Sequence, residues 1–209
     1  DRFAAKSAKS QMLRFHTQTA GVTLQAQQPH VNVVRVALQA LAAVLGGTQS
    51  LHTNAFDETL ALPTEDSVRI ALRTQQILAY ETGVPNVTDP LGGSYYVEAL
   101  TDQLEREAEA IFAEIDAQGG VVKAIEAGWA QRQIARSAAR FQHEVEQHQR
   151  TVVGVNEFVE DAEAPVEILK IGDEAESSQR ARLATLRATR DQALVDRRLE
   201  ALRQAAAED

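Results

Sequence analysis

Cysteine is absent from the 209 residues, which excludes both disulfides and thiolate sites. That absence fits a reducing, cytoplasmic setting. No apolar run approaches the roughly 20 residues needed to cross a bilayer. Asp1-Arg2-Phe3 leads straight into a charged segment, with nothing of a signal peptide about it. Positive charge is also scarce: 21 Lys and Arg stand against 30 Asp and Glu, a net charge of −9. A nucleic-acid surface, which needs clustered Lys and Arg, is therefore not expected. The start of the chain departs from that balance, with Arg2, Lys6, Lys9 and Arg14 against Asp1 alone. Such a patch suits an anionic nucleotide or coenzyme tail, and equally the solvated face of a helix. Asn86-Val87-Thr88 matches the glycosylation pattern but has no secretion signal to go with it.

What remains is ordinary for a soluble globular protein: 44% hydrophobic residues, 24% charged residues and a mean hydropathy of −0.27. The length allows one domain with a sizeable core. Against that background one stretch stands out. Thr48-Gln49-Ser50-Leu51-His52-Thr53-Asn54, entered through Gly46-Gly47 and followed by Phe56-Asp57-Glu58, lies between apolar helical segments yet is almost wholly polar. A buried strand that only supported a core would read Val, Ile and Leu. A polar strand framed by helices points to a wall facing a ligand.

Arg14-Phe15-His16-Thr17-Gln18-Thr19-Ala20-Gly21 reads as a second strand of the same kind, about one helix earlier. Strand, loop, helix, strand is the unit of a parallel α/β architecture. At period two, His16, Gln18 and Ala20 share one face, and Phe15, Thr17 and Thr19 the other. In the later strand Thr48, Ser50 and His52 lie opposite Gln49, Leu51 and Thr53.

Residues 32–45 read as an apolar helix that should be buried against the sheet, ended by Gly46 or Gly47. Thr64 is the expected N-cap of the next helix, which runs to about Thr82 before Gly83. Asp89-Pro90-Leu91-Gly92-Gly93-Ser94-Tyr95-Tyr96 is dense in turn residues. It reads either as a ligand-contacting loop at a barrel mouth or as a plain connection that needs glycine's freedom. Tyr95 and Tyr96 are expected to pack. A capping box at Thr101 or Asp102 with Glu105 predicts an amphipathic helix carrying Leu104, Ala108, Ile111, Phe112 and Ile115, closing at Gly119-Gly120. Helices over 121–127 and 130–148 follow, and then extended chain at 151–155. The acidic run 160–165 reads as a boundary, and 166–171 as a short extended piece. Beyond it, 174–207 predicts one or two charged helices whose narrow stripe (Leu183, Leu186, Leu194, Leu199, Leu202) suits packing on another domain or subunit.

Several of these runs together carry a resemblance. Ser10-Gln11-Met12-Leu13-Arg14, His16-Thr17-Gln18-Thr19-Ala20-Gly21, Asn32-Val33-Val34-Arg35, Gly46-Gly47-Thr48-Gln49-Ser50-Leu51-His52-Thr53-Asn54, Asp57-Glu58, Leu62-Pro63-Thr64, Asp89-Pro90-Leu91-Gly92-Gly93-Ser94-Tyr95-Tyr96 and Val153-Gly154-Val155-Asn156 closely resemble the large subunit of the methylmalonyl-CoA mutase family. The resemblance covers essentially the whole chain, and the Gly-Gly-Thr-Gln-Ser-Leu-His-Thr-Asn run is its most specific part. It implies an isomerase: an adenosylcobalamin-dependent radical rearrangement of an acyl-CoA carbon skeleton, begun by homolysis of the cobalt–carbon bond. It also implies an α/β fold, part of a TIM (β/α)8 barrel followed by a mainly helical segment. The barrel of this family is lined by small hydrophilic residues and threaded by the CoA chain, where an ordinary one is packed solid. Residues 1–159 then correspond to the C-terminal part of that barrel, and 160–209 to a linker and helical segment.

By the same resemblance, His16 and Gln18 are catalytic positions beside the acyl group and the adenosyl moiety, and with Gln49 they bind substrate. Gly21 matches a glycine close to the corrin face, Asn54 and Glu58 match residues that hold the adenosyl ribose, and Ala61 follows on the same cofactor surface. Taken without the motif, Glu58 reads as an ordinary loop acid. His52 has no second His or carboxylate at ligand spacing and reads as a wall residue, so no metal site is assigned.

Ala20-Gly21-Val22 departs from the methylmalonyl-CoA enzymes, which usually place serine and tryptophan around that glycine. The chain therefore looks more like the branch with a separate cobalamin-binding subunit. Isobutyryl-, hydroxyisobutyryl- and ethylmalonyl-CoA mutases stay open. The first half of the barrel and the Asp-x-His-x-x-Gly cobalamin motif are missing, so a segment of a longer subunit is expected, one that folds poorly alone. The implied partners are an acyl-CoA and a cobalamin-binding domain or small subunit. The rival reading is a non-catalytic, truncated binding subunit that docks a partner such as a chaperone-type GTPase.

Overall fold

The computed structural model describes residues 4–161 and 165–207. Two compact units make it up, the first ending at Ile168 and the second beginning at Leu169. Asp1 and Arg2 of the basic patch, and residues 162–164 of the acidic run, lie outside the described residues. No helix among the described residues is long and apolar enough to cross a membrane.

In the first unit, α1 (Ala8–Gln11) precedes β1 (His16–Gln18), α2 (Asn32–Leu45), β2 (Ser50–His52), α3 (Glu65–Glu81), α4 (Tyr95–Ala117), α5 (Val121–Glu126) and α6 (Trp129–Glu146). β1 and β2 pair in parallel, His16 opposite Ser50, Thr17 opposite Leu51 and Gln18 opposite His52. The order β1, α2, β2, α3 is the parallel α/β unit the sequence predicts, here a helix-rich α/β segment with a small sheet.

Both strands are shorter than predicted, because side chains take over from the backbone ladder at each end. Gln49 Oε1 accepts the Phe15 N–H at 2.8 Å, and Thr19 Oγ1 accepts the Asn54 N–H at 2.9 Å. Such polar side chains compete with strand pairing. Between them, the Thr48 hydroxyl donates to the Ser50 carbonyl at 2.9 Å, so Thr17 is the donor in its 2.7 Å contact with Thr48.

The two faces of the pair differ in character. Thr19 and Thr53 are buried and Thr17 and Leu51 half-buried, whereas His16, Gln18, Ser50 and His52 are exposed. α3 covers the buried face: Thr53 Oγ1 donates to the Ala71 carbonyl, and Gln75 Nε2 to the Leu51 carbonyl. α2 packs on α3, with Val36, Ala40, Ala71 and Leu78 in the core.

The helix ends follow the capping residues. α2 stops at Leu45, and Gly47 turns the chain at φ +78°. The Thr64 hydroxyl accepts the Ser67 N–H to start α3. α2 is not buried all round, however: Val34 and Leu38 are 57% and 63% exposed and line an apolar groove toward α6.

α4 also departs from expectation, starting at Tyr95 and not near Thr101. Ser94 is its N-cap, and the Glu98 carboxylate accepts the Gly93 N–H at 2.9 Å. The Thr101 hydroxyl instead donates back to the Val97 carbonyl inside the helix. Tyr95 and Tyr96, expected to pack, stand in its exposed first turn at 93% and 76%. Residues 153–157 form a turn where extended chain was expected. The Asn156 carboxamide holds it by accepting the Val152 N–H and donating to the Val145 and Arg150 carbonyls.

The second unit holds α7 (Asp173–Thr189) and α8 (Gln192–Ala207). Neither buries a residue, and Leu183, Leu186, Leu194, Leu199 and Leu202 are all exposed.

Ser94→Ala is expected to raise hydrogen exchange at the Val97 amide through the loss of a cap worth about 1 kcal/mol. Thr101→Ala is expected to leave that amide protected. The reverse pattern contradicts a helix start at Tyr95.

Candidate ligand-binding wall

The exposed face of the strand pair carries His16 and Gln18 from β1 and Ser50 and His52 from β2. His16 Nδ1 and Ser50 Oγ lie 2.8 Å apart, so the imidazole is held upright on the sheet by its register partner. Gln18 Nε2 donates to Asn54 Oδ1 at 3.1 Å. That bond joins the strand face to the loop after β2.

Asn54 and Asp57 are buried in that loop, while Glu58 is exposed. The backbone makes a tight turn there: the Leu60 and Ala61 N–H groups both donate to the Asp57 carbonyl. Asp57 Oδ2 accepts the Thr64 N–H at 3.1 Å, which ties the turn to the start of α3. Two side-chain atoms in this loop are buried without a partner, Asn54 Nδ2 and Asp57 Oδ1. An unpaired buried polar group costs about 1–3 kcal/mol, and such groups call for a functional explanation.

Gly21 supplies the third side of the same spot. A Cβ built there would overlap Glu58 Oε1 and stand 2.7 Å from Asn54 Nδ2. The requirement for glycine is steric, since its φ is not in the left-handed region. Three residues separated by up to 37 positions, Gly21, Asn54 and Glu58, thus converge. Next to them opens a cleft of about 550 Å³ lined by Gln18, His52, Glu58, Ala61, Leu62 and Leu72 among others. Its size is that of a typical small-molecule site.

Of the residues singled out in the sequence, Gln18 and Asn54 bond, Gly21, Asn54 and Glu58 meet, Gln18, Glu58 and Ala61 line the cleft, and His16 shares the exposed strand face with Gln18. Gln49 accepts the Phe15 N–H with its carboxamide oxygen at the start of the strand pair. Asn32, Gln39 and Asp57 also shape the wall; Asn32 and Asp57 fall within runs that carry the resemblance, but the sequence assigns no role to any of the three. Asn32 and Gln39 reach partners 16 to 24 residues away, Phe56 for Asn32 and Ala20 and Thr23 for Gln39, and Asp57 reaches Thr64 seven residues on.

An orphaned donor beneath a glycine, beside a carboxylate that takes no partner among the described residues, suits a ligand carrying neighbouring hydroxyls. The carboxylate accepts from such hydroxyls, and the amide donates to one of their oxygens. The ribose of an adenosyl group fits that donor set.

The sequence model of one protein family, methylmalonyl-CoA mutase, matches residues 1–209. The chain belongs to the methylmalonyl-CoA mutase family. It is 51% identical over 207 residues to the methylmalonyl-CoA mutase of Cereibacter sphaeroides, covering 99% of this chain and 29% of that protein. Over 203 residues it is 50% identical to the 2-hydroxyisobutanoyl-CoA mutase large subunit of Aquincola tertiaricarbonis, covering 97% of this chain and 36% of that one. The methylmalonyl-CoA mutase of Escherichia coli is 49% identical over 205 residues, 98% of this chain and 29% of its own length. The chain thus spans about a third of the length of these family relatives.

Gly21→Ala is expected to destabilise the complete protein by about 1–3 kcal/mol through overpacking. In a double-mutant cycle, Asn54→Ala should recover part of that loss, with a coupling of at least about 0.5 kcal/mol in thermal unfolding. Strictly additive effects contradict the close approach.

Proposed function

We propose that this chain is the part of an acyl-CoA mutase catalytic subunit that lines the reaction cavity, in an enzyme that interconverts methylmalonyl-CoA and succinyl-CoA. The observation that carries the reading is the convergence of Gly21, Asn54 and Glu58 beside the exposed polar face of His16 and Gln18. A scaffold needs none of these, which speaks against a non-catalytic binding subunit.

The proposed cofactor is adenosylcobalamin, which when bound supplies a carbon-centred radical. In this reading Asn54 and Glu58 hold the adenosyl ribose. The missing side chain at Gly21 lets Asn54 and Glu58 close in beneath the cofactor surface, and Ala61 continues that surface. His16 and Gln18 face the acyl group: the imidazole, steadied by Ser50 Oγ, offers its other nitrogen to a carbonyl or carboxylate of the substrate. Gln49 belongs to the same wall through the strand it steadies. The protein's contribution is orientation and exclusion of water around a reactive species.

The complete subunit, in this proposal, closes the two strands into a TIM barrel whose axis the CoA chain follows. Residues 1–159 are the barrel's C-terminal part, and 160–209 a linker and helical segment. The leucine stripe of α7 and α8 then packs on another domain or subunit, with the cobalamin-binding domain or small subunit and a chaperone-type GTPase as candidate partners. The cysteine-free composition supports a cytoplasmic enzyme. One alternative within the family is favoured by Ala20-Gly21-Val22 and by the near-equal identity to a 2-hydroxyisobutanoyl-CoA mutase: a hydroxyisobutyryl-CoA mutase with a separate cobalamin subunit.

The deciding assay supplies the complete enzyme and adenosylcobalamin with methylmalonyl-CoA and, separately, 2-hydroxyisobutyryl-CoA. Formation of succinyl-CoA supports the principal reading, rearrangement of the hydroxyacyl substrate alone supports the alternative, and neither product overturns both. Glu58→Ala is expected to remove a charge-assisted contact worth about 1.5–3 kcal/mol, so that adenosylcobalamin is retained roughly 10- to 150-fold less tightly. Unchanged affinity and turnover remove Glu58 from the site.

A further inference from the structure

Asn32 lies at the first position of α2 and is wholly buried. It does not cap its own helix, since the N-cap position is Val31. Its carboxamide is spent on other segments. Oδ1 accepts the Gln25 N–H at 3.0 Å, and Nδ2 donates to the Gln25 carbonyl at 2.8 Å, a two-point grip on the loop after β1. The same Nδ2 donates to the Phe56 carbonyl at 2.9 Å, in the loop after β2. Arg35 Nη1 donates to Oδ1 at 2.8 Å and orients the group, while Arg35 Nη2 donates to the Val153 carbonyl at 2.7 Å.

Two turns along α2, Gln39 holds the loop after β1 only: its Oε1 accepts the Ala20 N–H at 2.6 Å, and its Nε2 donates to Thr23 Oγ1 at 2.7 Å. Gly21 lies between these grips, and Asn54 and Glu58 flank Phe56. The close approach of Gly21 to Asn54 and Glu58 therefore depends on how the two loops sit against each other. The Asn32 side chain bonds to both of them.

We propose that Asn32 is a positioning residue for the ligand-binding wall, whose one buried carboxamide sets the loop carrying Gly21 against the loop carrying Asn54 and Glu58. It touches neither ligand nor reacting atoms and acts through those three residues. The inference rests on the reading of that spot as the adenosyl subsite for its effect on the cofactor, but not for its effect on the loops.

Asn32→Asp keeps the acceptor for Gln25 and Arg35, loses both donations and sets a carboxylate oxygen against two carbonyls. Asn32→Ala removes the group outright. Val36→Ala, on the same helix, buried and with no polar side-chain group to bond either loop, is the control for simple loss of stability.

The test uses the complete enzyme. Hydrogen exchange in the absence of cofactor is expected to rise together in segments 20–28 and 54–58 for both Asn32 variants, and in neither segment preferentially for Val36→Ala. Adenosylcobalamin affinity, from the spectral titration of the bound corrin, should fall about tenfold or more for the Asn32 variants. For Val36→Ala, compared at a matched loss of melting temperature, it should stay within about threefold.

Exchange that rises only in 20–28, or an affinity loss no greater than the control's, overturns the positioning role. Where Asn32→Ala does not fold, Asn32→Asp carries the same comparison. A wild-type enzyme that binds no adenosylcobalamin overturns the cofactor reading instead. The paired rise in exchange then still decides whether Asn32 bridges the loops.

Discussion

The constraint on which the first unit depends is a parallel strand pair too short to hold itself together. Three residues of β1 against three of β2 offer little backbone ladder, and parallel strands need a crossover helix to meet at all. Side chains therefore finish the ladder. Gln49 takes the Phe15 N–H at one end, where Thr17 also reaches Thr48, and Thr19 takes the Asn54 N–H at the other. Polar residues that would weaken an ordinary core strand are what let this pair exist.

That solution has a consequence for chemistry. With Thr53 bonded to α3, Thr19 buried against the Asn54 amide and Leu51 half-buried, the exposed face is left to His16, Gln18, Ser50 and His52. The loops leaving the two strands run out on the same side and are cross-tied by the buried Asn32 amide. The polar wall and the cradle formed by Gly21, Asn54 and Glu58 are thus parts of one hydrogen-bonded assembly. An unpaired Asn54 donor within it is a local cost that a bound ligand can offset.

Much of this was legible from residue types, where the signal is local. Gly46-Gly47 and Thr64 mark the ends of α2 and α3 because left-handed turns and N-caps are written within a few residues. The start of α4 was misplaced because Thr101 or Asp102 with Glu105 imitates a capping box. The real cap, Ser94, hides behind a Gly-Gly turn whose backbone is held by Glu98. The turn at 153–157 was missed because Asn156 closes it with three bonds that no periodicity reports.

At the wall, His16, Gln18, Asn54 and Glu58 could be named because the surrounding motif is distinctive of the methylmalonyl-CoA mutase family. Asn32 lies in one of the matching runs, but its role could not be read there, because its bond to Phe56 exists only in the fold. Apolar pattern also overstated the burial of α2, whose Val34 and Leu38 line an open groove.

The most direct measurement is a structure of the complete enzyme with adenosylcobalamin and an acyl-CoA substrate analogue bound. The adenosyl ribose is expected within hydrogen-bonding distance of Asn54 Nδ2 and the Glu58 carboxylate, with the acyl group against His16 and Gln18. Ligands bound elsewhere, in the groove between α2 and α6 or with the exposed strand face turned to bulk solvent, would contradict it.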